Sequence, residues 1–226
     1  MPAHDPPSFS PELFAFLREL KANNQREWFI ANKGRYERHV KEPALAFVED
    51  LGYRLPAVAP HLVADKRSMF RIYRDTRFAK DKSPYKTHVG IYFRHARAVE
   101  TDTAGLYLHL EPGHAFLGAG IWHPGTPALK RIRDAVIARP DEWRGAVAAV
   151  EPLWEQARGE TLKRPPAGYS GDNPLIGDLK RKSFAITSPL TQRTVTASGF
   201  LDVCEERAAA ARPYLSFLCD ALGVEY

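Results

Sequence analysis

His109 and Glu111 stand two residues apart in Gly105–Glu111 (GLYLHLE). In a strand that spacing puts both side chains on one face. There a carboxylate can orient an imidazole, or the two can work as acid and base, and these two are the candidate catalytic residues. With His88 they also offer the nitrogen and oxygen donors of a metal site. No metal ligand is assigned, because a solvated, hydrogen-bonded polar face accounts for each of the three as well.

A second group lies in Arg71–His88 (RIYRDTRFAKDKSPYKTH). Guanidinium groups grip phosphate or carboxylate bidentately and ammonium groups add mobile point charge, so Arg71, Arg74, Arg77, Lys80, Lys82 and Lys86 can surround an anion. Asp75 and Asp81 would hold some of those cations in place. Tyr73, Phe78 and Tyr85 interleave with the charges and can anchor the loop or stack a base. A solvated connection between two strands explains the same run. The candidate ligand-binding set is these six cations, the two aspartates and Tyr85, with His88, Tyr107 and Trp122 from the sheet.

The elements that must position these residues follow from periodicity. Ser10-Pro11 reads as N-cap and first helical residue ahead of Leu13, Phe14, Phe16, Leu17 and Leu20, and Asn23-Asn24 stops that helix. Trp28, Phe29, Tyr36 and Val40 recur at helical spacing, and a third amphipathic segment from Leu45 ends at Pro56. The period then changes to that of strands over Ser68–Asp75, His88–His95, Gly105–Glu111 and Ala115–Trp122, with Glu111-Pro112-Gly113-His114 turning a hairpin between the last two. With Leu106, Leu108 and Leu110 facing the core, Tyr107, His109 and Glu111 share the other face, beside His88, Tyr92 and Arg94. Phe116, Gly118, Gly120 and Trp122 alternate against Ala115, Leu117, Ala119 and Ile121. Glycines at 118 and 120 admit a ligand or a covering helix close to the backbone. On this face His109→Ala and Glu111→Gln are expected to leave the fold intact. Helices return from Thr126-Pro127 to Pro140 and from Asp141 through Trp154. SFAIT is a short strand in an irregular stretch, and Ser198–Leu222 is helical in two pieces broken near Arg212-Pro213. The expected fold is α+β: a single domain over residues 1–226, loose over 1–9, with a mainly antiparallel sheet flanked by N-terminal and C-terminal helices.

A chain of 226 residues, 44% hydrophobic and 26% charged, reads as a soluble globular protein. No apolar run reaches the ~20 residues of a spanning helix, and the first ten residues lack a secretory pattern, so the cytoplasm is the expected location without membrane contact. Cys204 and Cys219 match neither a redox pair nor a zinc framework. Residues 66–97 hold ten lysines and arginines against two aspartates, whereas the net charge of the whole chain is only +5. One basic block in an otherwise balanced chain points to a local anionic partner. Gly118-Ala119-Gly120 fails as a dinucleotide fingerprint because His123 stands at the third glycine position, and no phosphate loop, HExxH, GxSxG or kinase set occurs.

The chain resembles the family of conserved hypothetical proteins catalogued as domain of unknown function 2461. The likeness is carried by FLxELxxNNxxxWF at Phe16–Phe29, FRIYRDTRFAKDKSPYKTH at Phe70–His88, YLHLEPG at Tyr107–Gly113, FLGAGIWHP at Phe116–Pro124 and LKRPPAGY at Leu162–Tyr169. It implies membership without a mechanism, and it adds Asn23, Asn24 and Trp28 as a wall of the same site, although a helix stop with a core Trp explains them equally. The resulting expectation is binding of a phosphorylated small molecule or nucleotide, with phosphoester hydrolysis or transfer as the reaction class. A nucleic-acid-binding or protein-interaction module without catalysis is the alternative. Cofactor and oligomeric state stay open.

Overall fold

The computed structural model describes residues 8–100 and 102–226. Helix α1 (Pro11–Ala22) starts where Ser10 is still extended and Pro11 has no N–H to satisfy. Leu13, Phe14, Phe16, Leu17 and Leu20 of this helix are all buried. Asn23 closes it, its side-chain amide donating to the Glu19 carbonyl at 2.9 Å. Two short helices, α2 (Arg26–Ala31) and α3 (Lys33–Tyr36), lead through a π-helical turn at Glu37–Lys41 into α4 (Glu42–Val58). Pro56 sits in the last turn of α4, so that helix runs past the expected stop. Of the start expected to be loose, residues 1–7 lie outside the described residues, while Phe9 is buried against Phe47 and Phe200 at centroid distances of 5.3 and 6.0 Å.

The sheet has six strands, β1 (Leu62–Val63), β2 (Val89–His95), β3 (Gly105–Glu111), β4 (His114–Ile121), β5 (Glu155–Gln156) and β6 (Phe184–Leu190). All pairs are antiparallel and the order is β1-β2-β3-β4-β6-β5. Helices α5 (Thr126–Ala138) and α6 (Pro140–Val150) follow β4. Helix α7 (Ile176–Leu179) precedes β6, and α8 (Gln192–Val195), α9 (Phe200–Ala210) and α10 (Arg212–Leu222) close the chain. The fold is α+β. Leu106, Leu108 and Leu110, with Ala115, Leu117, Ala119 and Ile121 beside them, face a helical layer that includes α4 and α10 and join one continuous apolar core. Each fully buried leucine there contributes roughly 2 kcal/mol.

Ser68–Asp75 is not a strand. It makes isolated bridges at Met69↔Ile91 and Tyr73↔Tyr85, touches β2 through Ser68 and Phe70, and then leaves the sheet as a loop returning at His88. Only Ile72 and Tyr85 of its apolar residues between Phe70 and Tyr85 are buried, and Pro84 brings no N–H to a ladder. The φ of Gly120 is +116°, and a Cβ there would lie 2.2 Å from the Phe184 carbonyl oxygen. The close approach of β6 requires glycine there, and Gly118 and Gly120 both line the larger cleft described below.

Candidate functional site

The strand register assembles the polar face. Gly90 of β2 pairs with His109 of β3, which pairs with Phe116 of β4, and Glu111 pairs with His114 across the Pro112-Gly113 turn. His88, immediately before β2, stacks its ring on His109 at 4.5 Å, and Phe116 covers the other side of His109 at 4.9 Å. The His109 side chain is only 12% exposed. Its Nδ1 is 3.1 Å from the Tyr107 hydroxyl, and its Nε2 points at Glu111 Oε2, 3.5 Å away, without a hydrogen-bond partner. The other carboxylate oxygen of Glu111 is held by Lys21 Nζ and Thr87 Oγ1, each at 3.4 Å. One donor atom from each of His88, His109 and Glu111 lies within 4.8 Å of the others, the one such histidine–carboxylate group among the described residues.

Burial, reinforced by the neighbouring His88, pushes the His109 imidazole down to about 4, and burial likewise lowers His88. Burial raises Glu111, but its contacts with His109 and Lys21 outweigh that and hold the carboxyl below its usual range. At neutral pH the site thus holds neutral imidazoles beside an ionised carboxylate. The expectation that this face is freely solvated does not hold at His109. Sandwiched between two rings, it leaves a gap when truncated to Ala, at a cost of about 1–2 kcal/mol.

Two clefts meet at this cluster. The smaller, about 400 Å³, is bounded by Lys21, Asn24, Arg74, Asp81, Ser83, Tyr85, Lys86, Thr87 and His88. Asn24 fixes its wall by clasping the Tyr85 backbone. Its Nδ2 donates to the carbonyl at 2.9 Å and its Oδ1 accepts the N–H at 3.1 Å. Lys86 Nζ donates to the Arg71 carbonyl at 2.8 Å and lies 5.3 Å from the Phe70 ring centre, with no carboxylate partner among the described residues. Burial and then Arg71 lower its ammonium below the usual lysine range. The larger cleft, about 1010 Å³, runs along the open sheet face between Phe70, Tyr107, His114, Phe116 and Trp122. His88 borders the small cleft and the ring neighbours of His109 border the large one. Gly90 allows this packing, because a Cβ there would stand 2.8 Å from the Tyr107 hydroxyl.

Of the residues singled out from sequence, Arg74, Asp81, Tyr85, Lys86 and His88 meet around the small cleft, with His109 and Glu111 against it, and Tyr107 and Trp122 along the large one. Arg74 is paired with Asp81, so that cation is positioned as expected. The Tyr85 ring is buried and stacks on Phe29 at 4.1 Å, which makes it the anchor of the loop and not a platform for a base. Arg71, Asp75, Arg77, Lys80 and Lys82 line neither cleft. Arg77 closes on its near neighbour Asp75 at 2.7 Å, and Lys82 donates to the Thr76 carbonyl at 2.9 Å. Asn24 joins the wall, whereas Asn23 caps α1 and Trp28 packs on Phe16 at 5.7 Å. Lys21, Thr87 and His114 had not been singled out. Lys21 is ninety positions from Glu111 and carries no local signal, while His114 could have been found from its hairpin pairing with Glu111.

The molecule is therefore an antiparallel α+β protein whose sheet carries a His–His–Glu cluster between a basic cleft and an aromatic one. No helix among its described residues is long and apolar enough to cross a membrane. A family model described as "Conserved hypothetical protein (DUF2461)" matches residues 12–217, and the chain belongs to that family. No curated protein and no solved structure matches the chain.

Proposed function

We propose that the protein binds a phosphorylated small molecule in the cytoplasm, with the phosphate in the small cleft and an aromatic or sugar moiety along the large one, as a nucleotide would lie. The observation that carries this reading is Lys86: an ammonium partly withdrawn from water, with carbonyl and ring contacts but no carboxylate among the described residues. Lys21 comes to the same cleft from the end of α1, and Arg74 from the loop that carries Lys86. A phosphate would supply the missing negative charge and accept from several of these donors at once. With His109 and Glu111 handling a proton or a water beside that phosphate, the reaction class would be hydrolysis or transfer of a phosphoester.

A screen of inorganic phosphate, nucleoside monophosphates and sugar phosphates by thermal shift tests this. A ligand at one hundred times its Kd stabilises the native state by about 2.7 kcal/mol, and for a chain of this size that is a rise of roughly 5–11 °C. Lys86→Ala should weaken the response at least tenfold while Lys80→Ala leaves it alone. If no phosphorylated compound shifts the melt, the reading is wrong. If turnover is found, His109→Ala and Glu111→Gln should each lower it by a factor on the order of 10²–10⁴.

The second reading, docking of a nucleic acid or protein, is favoured by the loop tip, where Phe78 is 94% exposed with Arg77 over its ring at 5.8 Å. It requires oligonucleotide affinity that falls steeply with salt and drops on Arg77→Ala. Fluorescence anisotropy without binding at low salt rejects its nucleic-acid form.

A further inference from the structure

We infer that His88, His109 and Glu111 form a binding site for one divalent first-row transition ion of the zinc type. Zinc held by imidazole nitrogen and carboxylate oxygen at about 2.0–2.2 Å needs donors roughly 3.4 Å apart at tetrahedral angles. His109 Nε2 and Glu111 Oε2 stand at 3.5 Å, and all three donor atoms fit within 4.8 Å. Glu111 and His88 are the more accessible members, and rotating them by about 1 Å at the donor atom brings the widest pair into range.

The surroundings are those of a ligand set. His109 Nε2 is buried, directed at the carboxylate and without a hydrogen-bond partner. Its other ring nitrogen meets the Tyr107 hydroxyl at 3.1 Å, an outer contact that orients the ring and, with Nδ1 as the donor, leaves Nε2 free to coordinate. Lys21 and Thr87 hold the far oxygen of Glu111 and so aim the near one. Two imidazoles and one carboxylate suit zinc, cobalt(II) or iron(II) better than magnesium or calcium, which prefer all-oxygen shells. Three protein donors leave the remaining positions of such an ion to water or an anionic oxygen. The site stands on this donor geometry alone and does not depend on phosphate binding in the neighbouring cleft.

The test is calorimetric titration of the chelator-stripped full chain with Zn²⁺ in a phosphate-free buffer near neutral pH, with the visible absorption of bound Co²⁺ as a second readout. One ion per chain is expected, with a cobalt spectrum of low coordination number and a melting temperature that rises with zinc. His88→Ala, His109→Ala and Glu111→Gln should each weaken binding at least 100-fold. Tyr107→Phe should weaken it about tenfold through the loss of its contact with His109, and His39→Ala should not change it. Melting each variant without metal identifies any that fails to fold. His88→Ala and Glu111→Gln, at the more exposed positions, carry the test if His109→Ala is lost. Absence of zinc binding at millimolar concentration, or binding that survives both His88→Ala and Glu111→Gln, overturns the inference. A protein that binds phosphate but no zinc defeats this inference and leaves the anion reading standing, and the converse result does the reverse.

Discussion

Asn24→Ala should loosen the basic loop from the rest of the molecule. The side chain makes two hydrogen bonds to one residue, Nδ2 to the Tyr85 carbonyl at 2.9 Å and the Tyr85 N–H to Oδ1 at 3.1 Å, sixty-one positions away in sequence. Each partly buried bond contributes about 1 kcal/mol net, and leaving the Tyr85 peptide without these partners adds to the loss, so about 2–3 kcal/mol in all is expected. For a chain of this size that is a fall in Tm of roughly 4–12 °C. Asn23→Ala is the control, since Asn23 donates only within its own helix, to Glu19 at an exposed position. Its removal should cost under about 1 kcal/mol. Hydrogen exchange locates the effect. The Arg74 N–H bonded to the Pro84 carbonyl and the Lys86 N–H bonded to the Ile72 carbonyl should exchange faster in Asn24→Ala, with the β3 amides unchanged. If Asn24→Ala melts no lower than Asn23→Ala, the clasp is not what holds the loop and the account of the cleft wall fails.

Gly90→Ala would place a methyl carbon 2.8 Å from the Tyr107 hydroxyl and 3.0 Å from the Phe70 ring. A loss of about 1–3 kcal/mol is expected, and Tyr107→Phe in the same chain should recover part of it, so additivity in that double-mutant cycle would refute the stated clash. Asp65 is held below its usual range by hydrogen bonds from Arg94 and then Arg67. A depressed carboxyl contributes stability above its unfolded value near about 4 and loses it as pH falls further. Wild type should therefore exceed Asp65→Asn by about 1–2 kcal/mol at neutral pH, and the gap should close in acid melts below that value. Leu108→Ala, at a fully buried position, should cost about 2–5 kcal/mol, whereas Phe78→Ala at the loop tip should stay within about 0.5 kcal/mol; equal denaturation midpoints would contradict the assigned core face.

The boundaries of β3 were legible because Leu106, Leu108 and Leu110 alternate strictly with polar residues, and the same parity exposed His109 and Glu111 as neighbours. Ser68–Asp75 carries a similar alternation through Phe70 and Ile72, yet it runs into Arg74, which pairs with Asp81 inside the loop, as Arg77 does with Asp75. Local charge pairing there competes with a ladder. That competition is decided by tertiary contacts that periodicity does not describe. Lys21 and the depth of His109 were illegible for a related reason. One depends on where α1 ends relative to the sheet, and the other on two aromatic neighbours supplied by different strands.

The π-helical turn at Glu37–Lys41 acts as a phase shifter. A helix of 3.6 residues per turn changes the direction of every later side chain by about 100° when one residue is added or removed. The wide turn absorbs such a change locally, so the short helix before it keeps Tyr36 against Phe16 and Phe29 while α4 keeps Phe47 against Phe9 and Phe200. Deleting one residue between Glu37 and Lys41 would pull these two aromatic contacts out of step, and the chain could satisfy only one. The N-terminal helices, including the α1 end that delivers Lys21 to Glu111, would then lose their angular reference to the sheet. A cluster with no residue in that turn is in this way tied to the winding of a helix that packs on α1.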